Sequence, residues 1–129
     1  MKKEIIIIFS IIVVIITAHA TSQIYIQNYF QSIYNEIDNI ENKYFSGNYN
    51  NEELMEDMNR LKNAWGKKYD FIACFIEHDE LEKVQVQLIS MEANIKVEDY
   101  EKYIDEAERC KFILKHIEEK DSFKIINIF

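Results

Sequence analysis

Residues 26–44 read IQNYFQSIYNEIDNIENKY, and their apolar and aromatic positions, Ile26, Phe30, Ile33, Ile37, Ile40 and Tyr44, step alternately by four and by three. That is heptad spacing, which lines one face of an α-helix and demands a partner surface. Ser46-Gly47-Asn48 closes the run, with Gly47 suited to the left-handed position after a helix C-terminus. Asn50 followed by Glu53 has the form of a capping box and opens a second helix. Its seam is Leu54, Met58, Leu61 and Trp65, then less regularly Tyr69, Ile72 and Phe75 or Ile76. Gly66 lies inside this helix and weakens that turn by about 1 kcal/mol relative to Ala.

A third seam, Leu81, Val84, Leu88, Met91 and Ile95, is out of phase with the second. The shift falls between Ile76 and Leu81, where Asp79 and Glu82 suggest another capping box and make His78 the corner between two antiparallel helices. The last seam is Tyr103, Ala107, Cys110, Leu114 and Ile117, after Glu98 and Asp99, whose charges favour a helix start. Each stripe is narrow and backed by charged residues, so no single helix buries its apolar side alone. The expected fold is all-α, an antiparallel four-helix bundle, with the apolar tail at residues 123–129 docked on it.

Composition agrees. The 129 residues include two Gly and no Pro, too few for hairpin turns or Gly-rich phosphate loops. The net charge of −8, with no basic stripe, repels a phosphate backbone, so nucleic acid is not an expected partner.

The N-terminus sets the compartment. Lys2 and Lys3 precede residues 5–18, whose polar members are Ser10 and Thr17, and after Glu4 the next formal charge is Glu36. Those fourteen residues cover about 21 Å at helical rise, short of the roughly 30 Å hydrocarbon core, and Ala18-His19-Ala20 fits a small-x-small cleavage site. The uncharged span continues through Ile24 and Ile26, long enough to cross a bilayer. Residues 1–22 are therefore expected to be an uncleaved single-pass membrane anchor, the alternative being a signal peptide cut after Ala20. Residues 23–129 form the extracytoplasmic bundle, with Lys2 and Lys3 kept in the cytoplasm by the positive-inside rule. Beyond residue 20 the charge is −9, which holds the bundle away from anionic headgroups.

Candidate site residues are few. His78-Asp79-Glu80, with Glu77 and Glu82 beside them, concentrates one imidazole and four carboxylates at the corner. Helix capping accounts for that pattern better than a metal, since zinc needs three or four converging ligands. A di-iron bundle site needs Glu-x-x-His pairs, whereas Phe75 and Ile113 stand three residues before His78 and His116. His116 and Glu119 share a helix face as a surface pair. Trp65 and Tyr25, Tyr29, Tyr34, Tyr44, Tyr69, Tyr100 and Tyr103 fit either a packed core or an interhelical ligand groove. Trp65, His78, Asp79 and Glu80 are thus the candidate binding residues, with no metal or cofactor expected. Cys74 and Cys110 each fall about 6 Å below the corner at helical rise, so a disulfide worth roughly 3 to 4 kcal/mol is one reading and two packed thiols the other. No serine sits in a nucleophile elbow, and an enzyme is not expected.

The order of features, an apolar N-terminus, Trp65, the run Phe75-Ile76-Glu77-His78-Asp79-Glu80-Leu81, a regular last helix and a closing Asn127-Ile128-Phe129, resembles a family of small uncharacterised membrane-anchored proteins of Firmicutes, the domain of unknown function 4363. The matched positions are Trp65, His78, Glu80, Leu81, Asn127 and Phe129. The resemblance implies an all-helical extracytoplasmic module of no known activity that accompanies another small membrane protein. The expected function is a non-catalytic accessory or scaffold for a membrane partner; the alternative is a bundle that senses a small molecule or cation near Trp65 and His78.

Overall fold

The computed structural model describes residues 1–126, with side chains through Asp121. Four helices follow one another: α1 (Lys2–Ser46), α2 (Asn51–Ile72), α3 (His78–Lys96) and α4 (Tyr100–Ile126). The described residues contain no strand. The chain divides into two compact units, Met1–Gln31 and the remainder from Ser32 onward, and α1 runs unbroken through the boundary.

The first unit is a single helical rod. Every residue from Met1 to Thr21 is exposed, including Ile5, Ile7, Phe9 and Ile15. By length and composition α1 is able to cross a membrane. Its hydroxyls need no outside partner: Ser10, Thr17, Thr21 and Ser22 each donate to the carbonyl four residues back at 2.8 Å. Such back-bonding satisfies a polar side chain where neither water nor a neighbouring chain does. Nearer its end this unit buries Ile26, Tyr29 and Phe30.

The second unit is the bundle. Its core takes Ile33, Ile37 and Ile40 from α1, Leu54, Met58, Leu61, Trp65 and Ile72 from α2, and all five expected seam residues from each of α3 and α4. Each fully buried aliphatic side chain contributes about 1.5 to 3 kcal/mol relative to exposure. Ion pairs fix the arrangement around that core. Lys43 meets Asp57 across α1 and α2, Lys62 meets Glu92 across α2 and α3, Lys120 meets Glu77 across α3 and α4, and Lys111 meets Asp38 and Glu41 across α4 and α1. Lys43 late in α1 meets Asp57 early in α2, Lys62 midway along α2 meets Glu92 late in α3, and Lys120 late in α4 meets Glu77 at the α3 cap, so neighbouring helices run antiparallel.

The turns follow local chemistry with one exception. Gly47 adopts φ 71°, the left-handed conformation that ends α1. Asn50 caps α2: its Oδ1 accepts from the Glu53 amide at 2.8 Å and its Nδ2 donates to Glu53 Oε1 at 3.2 Å. Asp99 caps α4 by accepting from the Lys102 amide at 3.3 Å. The capping box expected at Asp79 and Glu82 does not form. The α3 helix begins at His78, with Glu77 at the cap position and no side-chain cap bond. The Leu81 amide bonds back to the Glu77 carbonyl at 3.3 Å, as burial of Ile76, Leu81 and Val84 sets the helix phase. Asp79 therefore lies inside the first turn, where its charge acts on the exposed amides as a whole.

The α3 C-terminus is unusual. The Asp99 amide donates to the Asn94 carbonyl at 2.9 Å and the Glu98 amide to the Ile95 carbonyl at 3.0 Å, the paired bonds of a Schellman motif. That motif wants Gly at its left-handed residue, yet Glu98 occupies it at φ 58°. For a residue with a Cβ this conformation costs on the order of 1 kcal/mol. The expected docking of residues 123–129 involves side chains outside those described.

Candidate functional site

The corner between α2 and α3 holds the residues singled out from the sequence. Trp65 is buried on α2, one helical turn before Tyr69, and the two rings stand 6.2 Å apart at 70°. Tyr69 in turn packs edge-on against His78, at 6.2 Å and 81°, and its hydroxyl lies 3.4 Å from His78 Nδ1. Tyr69 is thus the link that connects Trp65 to His78, an i, i+4 neighbour of the first and a cross-turn neighbour of the second.

Beside this ladder a cleft of 360 Å³ opens between α2 and α3, lined by Lys62, Trp65, Gly66, Tyr69, Asp70, Gln85, Leu88 and Ile89. Gly66 helps to open it, since a methyl group added there would touch nothing within 4 Å. Lys62 is held on the rim by its ion pair with Glu92. Exposed Val86 and Ile89 extend the apolar surface along α3.

His78, Asp79 and Glu80 do not converge. Consecutive helical residues point about 100° apart, so three in a row face three directions. His78 turns to Tyr69, Asp79 is exposed, and Glu80 turns under α4, where it is 8% exposed and accepts from Lys83 at 3.2 Å and Lys120 at 3.5 Å. Burial works to raise the Glu80 carboxyl, but the two ammonium groups outweigh it and hold it below the ordinary range. Among the described residues no group of three or more His, Cys, Asp or Glu side chains is placed to hold a metal ion. His116 is exposed on α4, and the Glu119 carboxylate near it lies 3.9 Å from Lys115.

The cysteines are free thiols, so the disulfide considered for Cys74 and Cys110 is not formed. Rise along the bundle fixes height only; the heptad position decides which way each side chain faces. Cys110 occupies the α4 seam between Ala107 and Leu114, fully buried, and burial pushes its thiol up to about 12. Cys74 lies in the turn after α2, exposed, with Sγ directed to the Asp70 carbonyl at 3.5 Å.

The sequence reading missed a buried acid. Asp57 is 1% exposed, flanking the α2 seam, and accepts from Lys43 at 2.5 Å and from Arg60 at 2.7 Å. Its signal was the Arg60 three residues on; Lys43 is local only in space. A second network centres on Lys111, which reaches Asp38 at 2.8 Å, Glu41 at 2.5 Å and Glu108 at 3.0 Å. Burial works to lower the Lys111 ammonium, and its three carboxylate partners more than reverse this. Of the aromatics, Tyr29 and Tyr103 are core, and Tyr34 donates to the Lys111 carbonyl at 3.3 Å.

No curated protein and no solved structure matches the chain. A family model does, over residues 20–128, from the last residue of the Ala18-His19-Ala20 site through the length of the bundle. On that match the chain belongs to the family described as Domain of unknown function (DUF4363).

Proposed function

We propose that this is a single-pass membrane protein whose acidic helical bundle stands outside the membrane and serves, without chemistry of its own, as an accessory to a membrane partner. The observation that carries the reading is the contrast along α1. Its first stretch exposes Ile, Val and Phe from Ile5 to Ile16, interrupted only by Ser10, with its hydroxyls bonded back into the helix, whereas its last stretch enters a packed core. Exposed apolar surface on that scale is stable in lipid and costly in water. Lys2 and Lys3 at the near end keep it cytoplasmic and send the bundle outward. The resemblance to membrane-anchored proteins of Firmicutes supports the same placement.

The cleft between α2 and α3 is the surface best suited to the partner, with exposed Ile89 as its apolar contact and Lys62, Asp70 and Gln85 around it. The same cleft favours a second reading, a sensor of a small molecule, because Trp65 and a few polar groups border a ligand-sized volume. Affinity purification of the tagged full-length chain from a mild-detergent extract separates them. A full-length intact mass with a stoichiometric membrane protein is expected. A mass beginning at Thr21 with no companion protein would overturn the accessory reading.

A further inference from the structure

At the end of the bundle opposite His78, the α1–α2 and α3–α4 loops bring three tyrosines together. Tyr44 ends α1, Tyr49 sits in the following loop and Tyr100 opens α4. Their ring centroids form a nearly equilateral triangle, 5.5 Å from Tyr44 to Tyr49 and 5.4 Å from each to Tyr100. The rings border an open concavity of 750 Å³ that Glu98 shares. The Tyr100 hydroxyl donates to Asn51 Oδ1 at 3.1 Å, which fixes its ring.

We propose that this triad and the Glu98 carboxylate form a binding site for a small organic ammonium ion. Aromatic faces attract a cation placed within about 6 Å of the ring centroid. With sides of 5.4 to 5.5 Å, a cation over the middle of the triangle stays inside that limit for all three rings up to about 5 Å above their plane. The 35° tilt between Tyr44 and Tyr100 lets one ion address both, while Tyr49, at 77° to Tyr100, walls the side.

Glu98 supplies the counter-charge. The lysines of the surrounding helix ends are committed elsewhere: Lys43 to Asp57 at 2.5 Å, Lys96 to Glu92 at 2.9 Å and Lys102 to Asp99 at 2.8 Å. The Glu98 carboxylate makes no ion pair with the described residues, and its charge reaches the triad. Burial raises the Tyr100 hydroxyl first, and the Glu98 charge raises it further. Glu98 also holds a left-handed backbone that Gly would adopt without strain. A single carboxylate is too poor a donor set for a hard metal cation, which takes six or more oxygens. An alkylated ammonium needs only one charge and ring faces, and the net charge of −8 draws it in.

The test titrates choline chloride, and its neutral isostere with carbon in place of nitrogen, into the full chain in phosphatidylglycerol discs, read by tyrosine-ring NMR shifts. Choline is expected to shift the Tyr44, Tyr49 and Tyr100 resonances and the isostere to leave them in place. Glu98→Gly is expected to weaken choline binding about fivefold or more, as loss of one charged contact predicts. The same substitution relieves the backbone and raises the melting temperature, so a weakened site cannot be blamed on unfolding. Tyr49→Leu weakens binding likewise. Phosphatidylcholine in the discs that competes with free choline would identify a lipid headgroup as the source, and absence of competition a soluble ion; either supports the ammonium assignment. Equal binding of the isostere, undiminished binding by Glu98→Gly, no choline binding at all, or saturable binding of a neutral sugar in its place would each overturn it.

Discussion

Asp57 offers the sharpest test of how the bundle is held together. Its carboxylate is 1% exposed and bonded to Lys43 and Arg60, whose side chains are 36% and 56% exposed. The two sides of this cluster are unequal, and so are the costs of removing them. In Asp57→Ala the two cations lose their partner but swing into water, leaving two charge-assisted hydrogen bonds forfeited against a recovered desolvation penalty. That amounts to about 2 kcal/mol. In the double variant Lys43→Met, Arg60→Met the acid stays buried with nothing to neutralise it, which costs about 3 to 5 kcal/mol. The triple variant, with Asp57 also replaced by Ala, should recover much of that loss. Urea unfolding followed by far-ultraviolet circular dichroism, with the chain in lipid discs, measures all four proteins on one scale. The expected order, from most to least stable, is wild type, Asp57→Ala, then Lys43→Met, Arg60→Met. If removing the acid costs more than removing both cations, Asp57 is not the uncompensated group this reasoning requires.

Three further outcomes are expected. Gly66→Ala should stabilise the bundle by up to about 1 kcal/mol, because the added methyl meets no atom within 4 Å and helix propensity improves; a lower urea midpoint would contradict this. A thiol-reactive maleimide should label Cys74 rapidly under native conditions and Cys110 only on unfolding, since Cys110 is buried and its thiol is pushed up to about 12; labelling at equal rates would refute that burial. Hydrogen bonds from Lys62 and Lys96 hold the Glu92 carboxyl below its ordinary 4.5. A lowered folded-state pKa contributes stability that is present above the unfolded value and lost as pH falls from there through the folded one. Stability should therefore decline below about pH 4.5, with a smaller decline in Glu92→Gln; identical acid profiles would remove Glu92 from the cause.

What was readable in the sequence was whatever depends on neighbours within a turn or two. The step of three and four placed Ile33, Ile37 and Ile40 in the core, and the same rule placed Leu81 to Ile95 and Tyr103 to Ile117. Gly47, Asn50 and Asp99 carry local chemistry and behaved accordingly. Asp79 and Glu82 matched the same pattern and failed, because burial of Ile76 and Leu81 set the cap at Glu77, two residues earlier than the polar side chains alone suggest. Long-range partners left no mark. Lys43 and Asp57 meet only because α1 and α2 fold back on each other, and Tyr49 holds no heptad position, so its place beside Tyr44 and Tyr100 follows from two loops meeting. Trp65 and His78 do share a neighbourhood, through Tyr69, whereas Asp79 and Glu80 face elsewhere for the elementary reason that a helix turns.

The single helix from Lys2 to Ser46 also separates where this protein resides from whether it folds. No side chain before Ile26 is buried, and Ala18-His19-Ala20 lies wholly inside that exposed stretch. On the anchoring proposed above, a substitution that made or unmade a cleavage site there would release the bundle or retain it, without removing one buried contact among the described residues. Under that reading, tethering and release turn on three exposed residues alone, while the buried core from Ile26 onward is the same in either form.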